Sequence, residues 1–334
     1  MTQTELNIRP LGPDDLGVVV DIDAHIGGHR RTAFFEKRLH AALAEPRYFI
    51  YIACERGGRL RGYLQARLLE GEYGANEKVA ALDNLGVAPD SRGQGIGRAL
   101  MEEFHSILGH KGISRIETQA DWRNADFLGF LAAAGFELAP RQVMQREVSH
   151  LQTDQAAEPS ADPHPLLQSG DRDFSDSSGD ESGSLARDLV NCRSLAKEDL
   201  PALIHINRKV TGHDNAAFYQ RKVKEVLDET GIRVSMVAEL DGQVVGFIMA
   251  RVDYGDFDRV EPNAVLDSIA VNPAMAHRRI GTALLSQLLA NLTSLRLETI
   301  RTEVDADHLD VLAFFLNNGF RQSQELVFSR PTGT

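Results

Sequence analysis

The 334-residue sequence predicts an α/β fold in two tandem copies, each a mixed, mainly antiparallel sheet flanked by helices. Three observations predict it. The chain aligns with itself at one fixed offset, strand-like and helix-like stretches alternate in the same order within each copy, and each copy carries a strand that runs through a loop into an amphipathic helix.

The repeat comes first. Shifting the chain against itself by 184 positions superposes the halves without a gap over most of a domain. Asn7 falls on Asn191, Arg9 on Arg193, Leu11 on Leu195 and Asp15-Leu16 on Asp199-Leu200. Gly28-His29 meets Gly212-His213, Ala66-Arg67 meets Ala250-Arg251, Leu82-Asp83 meets Leu266-Asp267, and Gly135-Phe136 meets Gly319-Phe320. So many matches in one register mark a duplication, with copies at 1–150 and 186–334. Between them, 151–185 is rich in Ser, Asp, Gly and Pro and is too polar to offset its ordering entropy by burial, so it reads as an acidic flexible linker. A docking or phosphorylation segment is the functional alternative. Duplicated domains inherit the self-complementary contacts of a homodimer, so the copies are expected to form an internal pseudo-dimer.

Within the first copy the pattern predicts a strand at 6–11, a helix from Asp14-Asp15 and a second helix at 32–43. Strands at 48–55 and 60–69 flank a Gly57-Gly58 turn, and another strand spans 79–87. Ile96, Leu100, Phe104 and Leu108 recur at helical spacing, giving a helix over 97–108. A strand at 113–120, a helix at 126–134 and a last strand after Gly135-Phe136 complete the copy. Short hairpins join three of the strands, which makes the sheet mixed.

Composition narrows the function classes. The net charge is −12 with no Lys/Arg run to neutralise phosphates, which argues against nucleic acid as a partner. Acidity suits a cationic acceptor such as an amine, although a merely soluble acidic surface is the more frequent meaning. Cys54 and Cys192 are the only cysteines, so neither a disulfide framework nor metal-ligand spacing is expected, and a reducing cytoplasm fits. No apolar run approaches a transmembrane length, no membrane partner is expected, and the first ten residues lack the features of a signal peptide.

The strongest chemistry lies at 85–101. Leu85-Gly86-Val87 ends a strand, a turn with Gly93, Gly95 and Gly97 follows, and a helix begins. Glycine permits positive φ and close ligand approach. Unpaired amides at a helix start, aided by its dipole, suit a pyrophosphate. The Walker Lys-Ser/Thr pair is missing, and the glycine spacing is not the dinucleotide fingerprint.

Gln94, Gly95, Ile96, Gly97, Arg98 and Ala99 resemble the Q/R-x-x-G-x-G/A signature of GNAT-family N-acetyltransferases, after that family's strand ending in Val-x-Pro. Asn124, Phe130-Leu131 and Gly135-Phe136 resemble its N…(F/L)Y…GF helix. In the second copy Arg278, Arg279, Ile280, Gly281, Thr282 and Ala283 fit the signature, with Phe314-Phe315 and Gly319-Phe320 after them. The resemblance covers both copies and implies two GNAT-like domains. It implies acetyl-CoA as co-substrate, with pyrophosphate on the loop and pantetheine along the preceding strand, bonding main-chain groups near Leu85 and Val87 or Ile269 and Val271. Asn124 is the family's polar position at the later helix. The second loop departs from the pattern, since Ala276, His277 and Arg279 replace Arg92, Gly93 and Gly95. No metal is implied.

Transfer to an amine calls for a proton acceptor and a group to help the thiolate leave. The family's usual acid is a Tyr four residues before the later Gly, and here Leu131 and Phe315 stand there. Asp83 and Asp267 are retained in both copies, opposite Arg67 and Arg251 if the hairpins turn near Ala75 and Arg259. They read either as bases or as cross-strand ion pairs that need no function. Glu303 is the counterpart of Gln119. Some family members, including ribosomal-protein N-terminal acetyltransferases, carry a base glutamate at this position, while a solvated strand glutamate is the alternative. His29 and His213 lie in the loop between the first two helices, where a helix-terminal or packing role competes with a catalytic one. The resemblance thus implies an N-acetyltransferase acting on a protein lysine, a protein N-terminus or a small amine. The rival is an acyl-CoA-binding regulatory protein with catalysis lost from one or both copies.

Overall fold

The computed structural model describes residues 6–70, 78–148, 190–224, 226–227, 233–253 and 263–332. The linker and both hairpin tips, at Ala75 and Arg259, lie outside the described residues. The first copy runs β1 (Leu6–Pro10), α1 (Leu16–Gly27), α2 (Thr32–Ala44), β2 (Phe49–Arg56), β3 (Arg59–Glu70), β4 (Lys78–Val87), α3 (Ile96–Lys111), β5 (Arg115–Asp121), α4 (Ala125–Ala133) and β6 (Glu137–Glu147). The second repeats the order as β7 (Asn191–Ser194), α5 (Leu200–Thr211), α6 (Ala216–Lys224), β8 (Met236–Leu240), β9 (Gln243–Asp253), β10 (Asn263–Val271), α7 (Ile280–Ser294), β11 (Thr299–Asp305), α8 (Leu309–Asn317) and β12 (Arg321–Pro331).

The chain packs as two compact units that cut across the repeat: Met1–Arg146 with Val252–Asp267 and Ile300–Thr334, and Glu147–Arg251 with Ser268–Thr299. In the first unit the strand order is β1-β2-β3-β4-β5-β12-β6-β11. The sheet is antiparallel from β1 to β4, and β4–β5 is a parallel pair. The strand beside β5 is β12, from the far end of the chain, paired antiparallel from Glu325↔Asp121 to Pro331↔Arg115. β12 bonds β6 on its other edge. The last strand of the second copy therefore lies between β5 and the first copy's own last strand.

Local sequence explains the elements that hold the site. At the β2–β3 turn Gly57 and Gly58 have φ of 60° and 71°, the doubly positive pair of a tight hairpin. Ile96, Leu100, Met101, Phe104 and Leu108 bury one stripe of α3 against the sheet. That helix sits close because Gly62 lies beneath it: a Cβ there would be 2.6 Å from Ile96 Cγ2. Arg9 ties β1 to the start of α1, donating to Asp15 at 2.7 Å and to Glu55 at 2.8 Å. Arg193, Asp199 and Glu239 repeat the arrangement. In the second unit Leu203, Ile206, Phe218, Tyr219, Val237 and Phe247 form a core between α5, α6 and the β8–β9 hairpin.

Candidate functional site

Two irregularities open the first-copy sheet where the loop meets α3. On the β3 side, Gln65 pairs with Asn84 but Ala66 pairs with Leu82, so Asp83 is the extra residue of a β-bulge. On the β5 side, pairing runs only from Val79↔Arg115 to Ala81↔Glu117. Thr118 then bridges to the Leu82 carbonyl through its hydroxyl, at 2.9 Å. Beyond that point β4 and β5 part. The second copy does the same: β10 and β11 pair at Ala264↔Ile300 and Val265↔Arg301, and Thr302 bonds the Leu266 carbonyl at 2.9 Å.

A cleft of about 1750 Å³ runs through the first-copy opening. Leu85 and Val87 line it on β4, Gln119, Ala120 and Asp121 on β5, and Gly93, Gly95, Ile96, Gly97 and Arg98 at the head of α3. Gly93 and Gly95 hold φ of 72° and 83°, and Gly95 is the left-handed residue from which α3 starts. This turns successive amides toward the cleft, where the helix dipole adds positive potential. Asn124 also lines the cleft and caps α4, its Oδ1 accepting from the Phe127 amide at 3.1 Å. Gln94 points away from this lining, donating to the Asp90 carbonyl and accepting from Arg56.

In the second loop His277 and Arg279 hold φ of 64° and 57° without being glycines. The left-handed backbone is thus kept where side chains disfavour it. Arg278 and Arg279 are exposed, Ile280 is buried, and Gly281 and Thr282 are half-buried in the first turn of α7. Ile269 and Val271 are half-buried at the end of β10.

The candidate carboxylates have partners. Asp83, on the cleft wall and 6% exposed, accepts two bonds of 2.6 Å from Arg67. The ion pair forms although Arg67 stands opposite Ala81, because the bulge re-aims Asp83. Asp267 is buried at the equivalent place in β10. Glu303 accepts from the Gln119 amide at 2.5 Å and lies 3.5 Å from Arg141. Arg141 also donates to Glu117 at 2.7 Å and to Asp305 at 2.9 Å. Burial opposes the charge on Arg141, but Glu303, Glu117 and Asp305 outweigh it and raise its pKa. Burial raises the pKa of Glu117 against the attraction of Arg141. Leu131 and Phe315, each 1% exposed, are core residues. His29 and His213 are exposed.

Sequence reasoning did not single out the polar chamber at the inner end of the cleft. Asp23 accepts from Arg31 at 2.6 and 2.9 Å and from the Tyr63 hydroxyl at 3.0 Å. Arg31 reaches Asn84 at 3.3 Å, and all four residues line the cleft. The signal was in the repeat. Counterparts 184 positions on are Asn207, Asn215, Phe247 and Ser268. There the hydroxyl comes from a neighbouring position: Tyr219 donates to Asn207 at 3.1 Å and lies 3.2 Å from Ser268. Burial pushes the Tyr219 pKa up to about 12. An ionic chamber in one copy is a neutral one in the other.

A parallel pair that parts and a left-handed loop capping a helix, both present twice, define a tandem acetyltransferase-type protein. The chain belongs to the Acetyltransferase (GNAT) family, whose model matches residues 21–136 and 199–320. A tandem GNAT protein from the clavulanic acid biosynthesis pathway shares the fold over 99% of both chains, at 15% identity and a TM-score of 0.61. A GCN5-related N-acetyltransferase from Sphaerobacter thermophilus aligns over 98% of this chain and 96% of its own, at 14% identity and a TM-score of 0.60. The GCN5-related glucosamine N-acetyltransferase region of a fungal multi-domain GH3 beta-N-acetylglucosaminidase gives 13% identity and a TM-score of 0.65, over 98% of this chain and 38% of that one. At such identities the likeness is one of fold. No curated protein matches the chain in sequence. No described helix is long and apolar enough to cross a membrane.

Proposed function

We propose that the protein is an acetyl-CoA-dependent N-acetyltransferase with its donor in the first-copy cleft. One observation carries this reading: a single cleft joins the amide-lined head of α3, the gap between β4 and β5, and the chamber of Asp23, Arg31, Tyr63 and Asn84. Acetyl-CoA, when bound, supplies an activated acyl group. The amides of 95–97 would hold its pyrophosphate, the edges of Leu85 and Val87 its pantetheine, and the chamber would receive the acceptor amine. The residues fit because the loop brings backbone donors, rather than side chains, to the anion.

The chain's contribution to the chemistry is then placement. Asp23 and Asp83 are each held by an arginine, so neither is a free base in the first copy. Leu131 supplies no acid. The acceptor's proton therefore passes to water, and the rate should rise with pH along the acceptor's own ionisation, near 10.4 for a lysine-type amine. Glu303, a candidate base from the resemblance, is proposed here as a structural acceptor for Gln119 and Arg141.

The engaged carboxylates also favour the second reading, an acyl-CoA-binding regulatory protein. Release of free CoA thiol, measured over a panel of small amines, peptides and N-terminal peptides, separates the two. Release with at least one acceptor supports the enzyme. Acetyl-CoA binding without release across the panel supports the regulator.

A further inference from the structure

The second copy fixes the orientation of one side chain in the first-copy cleft. Gln119 is buried on β5 and lines the cleft. Its Oε1 accepts from Arg301 at 2.9 Å, and its Nε2 donates to Glu303 at 2.5 Å. A guanidinium only donates and a carboxylate only accepts, so a single orientation of the amide satisfies both. Both partners lie on β11 and are braced in turn: Glu303 is 3.5 Å from Arg141, and Arg301 is 3.6 Å from Glu325. The second hydrogen on Nε2 has no partner among the described residues. Gln119 is thus a locked donor on the cleft wall with one N–H unspent.

Its place is the closed end of the gap. Thr118, one residue earlier, bonds the Leu82 carbonyl where β4 and β5 begin to part. Side chains alternate along a strand, and Ile116 and Ala120 face the core beneath α3, so Gln119 faces the opposite side. Leu64 and Leu85 also face that core, while their neighbours Tyr63 and Asn84 face the chamber. Gln119 and Asn84 therefore flank the parted strands on one face. A pantetheine running back along β4 from Val87 past Leu85 would end there, between the loop and the chamber. We propose that Gln119 is a catalytic residue of the first copy, its unspent N–H donating to the thioester carbonyl oxygen, with Arg301 and Glu303 as its positioning residues. The amine nitrogen bonds the carbonyl carbon and the C=O π pair moves onto oxygen, where a fixed donor in a buried site stabilises the developing charge. As the pair returns, the C–S bond breaks, the thiolate leaves with its electrons, and the amine's proton passes to water. In the second copy the equivalent residue is Glu303, whose carboxylate has no hydrogen to donate, so transfer belongs to the first copy. The inference rests on reading the cleft as the acetyl-CoA site.

Infrared difference spectroscopy of the full chain with acetyl-CoA, isotope-labelled at the carbonyl, tests this without an acceptor. Binding should move the carbonyl band below its position in free acetyl-CoA. Gln119→Leu and Glu303→Leu should each reverse much of that shift, with acetyl-CoA affinity within about threefold of the parent. Glu303→Gln keeps an acceptor oxygen for Nε2 and should retain it. With an acceptor from the amine panel, Gln119→Leu should lower kcat by about 10²-fold and leave KM for acetyl-CoA near the parental value. A bound band at the free position in the parent, or a band and kcat that Gln119→Leu leaves unchanged, overturns the role of Gln119 alone. If Gln119→Leu does not fold, Glu303→Leu against Glu303→Gln decides, and equal bands in those two overturn the role. A parent that does not bind acetyl-CoA, or binds it and releases no CoA thiol with any acceptor, overturns the proposed function and this role with it.

Discussion

Asp83→Asn distinguishes a structural from a catalytic carboxylate in the cleft. Asp83 receives two charge-assisted bonds from Arg67, and the two side chains are 2% and 15% exposed. Removing one partner of a buried pair costs about 3–5 kcal/mol, because the remaining charge stays desolvated without compensation. Arg67 keeps some access to water, and asparagine can still accept one bond, so about 3 kcal/mol is expected. For a domain of this size that lowers Tm by about 6–12 °C. Thermal and urea unfolding of Asp83→Asn, Arg67→Met and the double variant form the assay. The double variant should be more stable than the sum of the single changes implies, with a coupling of about 1–3 kcal/mol. If Asp83→Asn unfolds within about 0.5 kcal/mol of the parent while kcat falls about a hundredfold, the ion-pair account is wrong and Asp83 is a base.

Three further outcomes follow from the structure. Glu303→Gln should lower stability by disturbing the Gln119–Glu303–Arg141 contacts and leave kcat within about threefold, whereas a loss of about a hundredfold or more at parental stability would restore it as the base. Hydrogen bonds from Arg9 hold the Asp15 carboxyl below its ordinary value. A depressed carboxylate stabilises above its unfolded pKa, about 3.9, and that contribution disappears as pH falls through the folded value; urea midpoints should drop below about pH 4, less steeply in Asp15→Asn. Burial raises both thiols, that of Cys192 to about 11, so a disulfide reagent at about pH 8 should label the folded protein slowly and both cysteines promptly in urea.

Much of this fold is legible in the sequence because its local signals agree. The Gly57-Gly58 turn, the apolar stripe of α3 and the loop between β4 and α3 each depend on neighbours close in the chain. The position of β12 does not. An alternating strand fixes which face is buried, not which strand it lies beside, so β6 and β12 read alike although β12 takes the place next to β5. The bulge at Asp83 depends on one unmatched residue between two regular runs, and that left the Arg67–Asp83 contact undecided from spacing alone. The chamber escaped because Asp23 and Arg31 belong to a helix and a loop that only folding brings to Asn84. Reading the repeat for differences rather than matches would have marked it, through Asp23 against Asn207 and Arg31 against Asn215.

Calorimetric titration of acetyl-CoA into the parent and into Gly97→Val tests the central claim most directly. Even a single Cβ at Gly97 would stand 3.1 Å from the Phe130 ring, in the first turn of α3 where the cleft meets the loop. The account predicts binding by the parent and a loss of about tenfold or more in the variant, equivalent to about 1.4 kcal/mol per factor of ten. A parent that does not bind acetyl-CoA, or a variant that binds it as tightly as the parent, would contradict it.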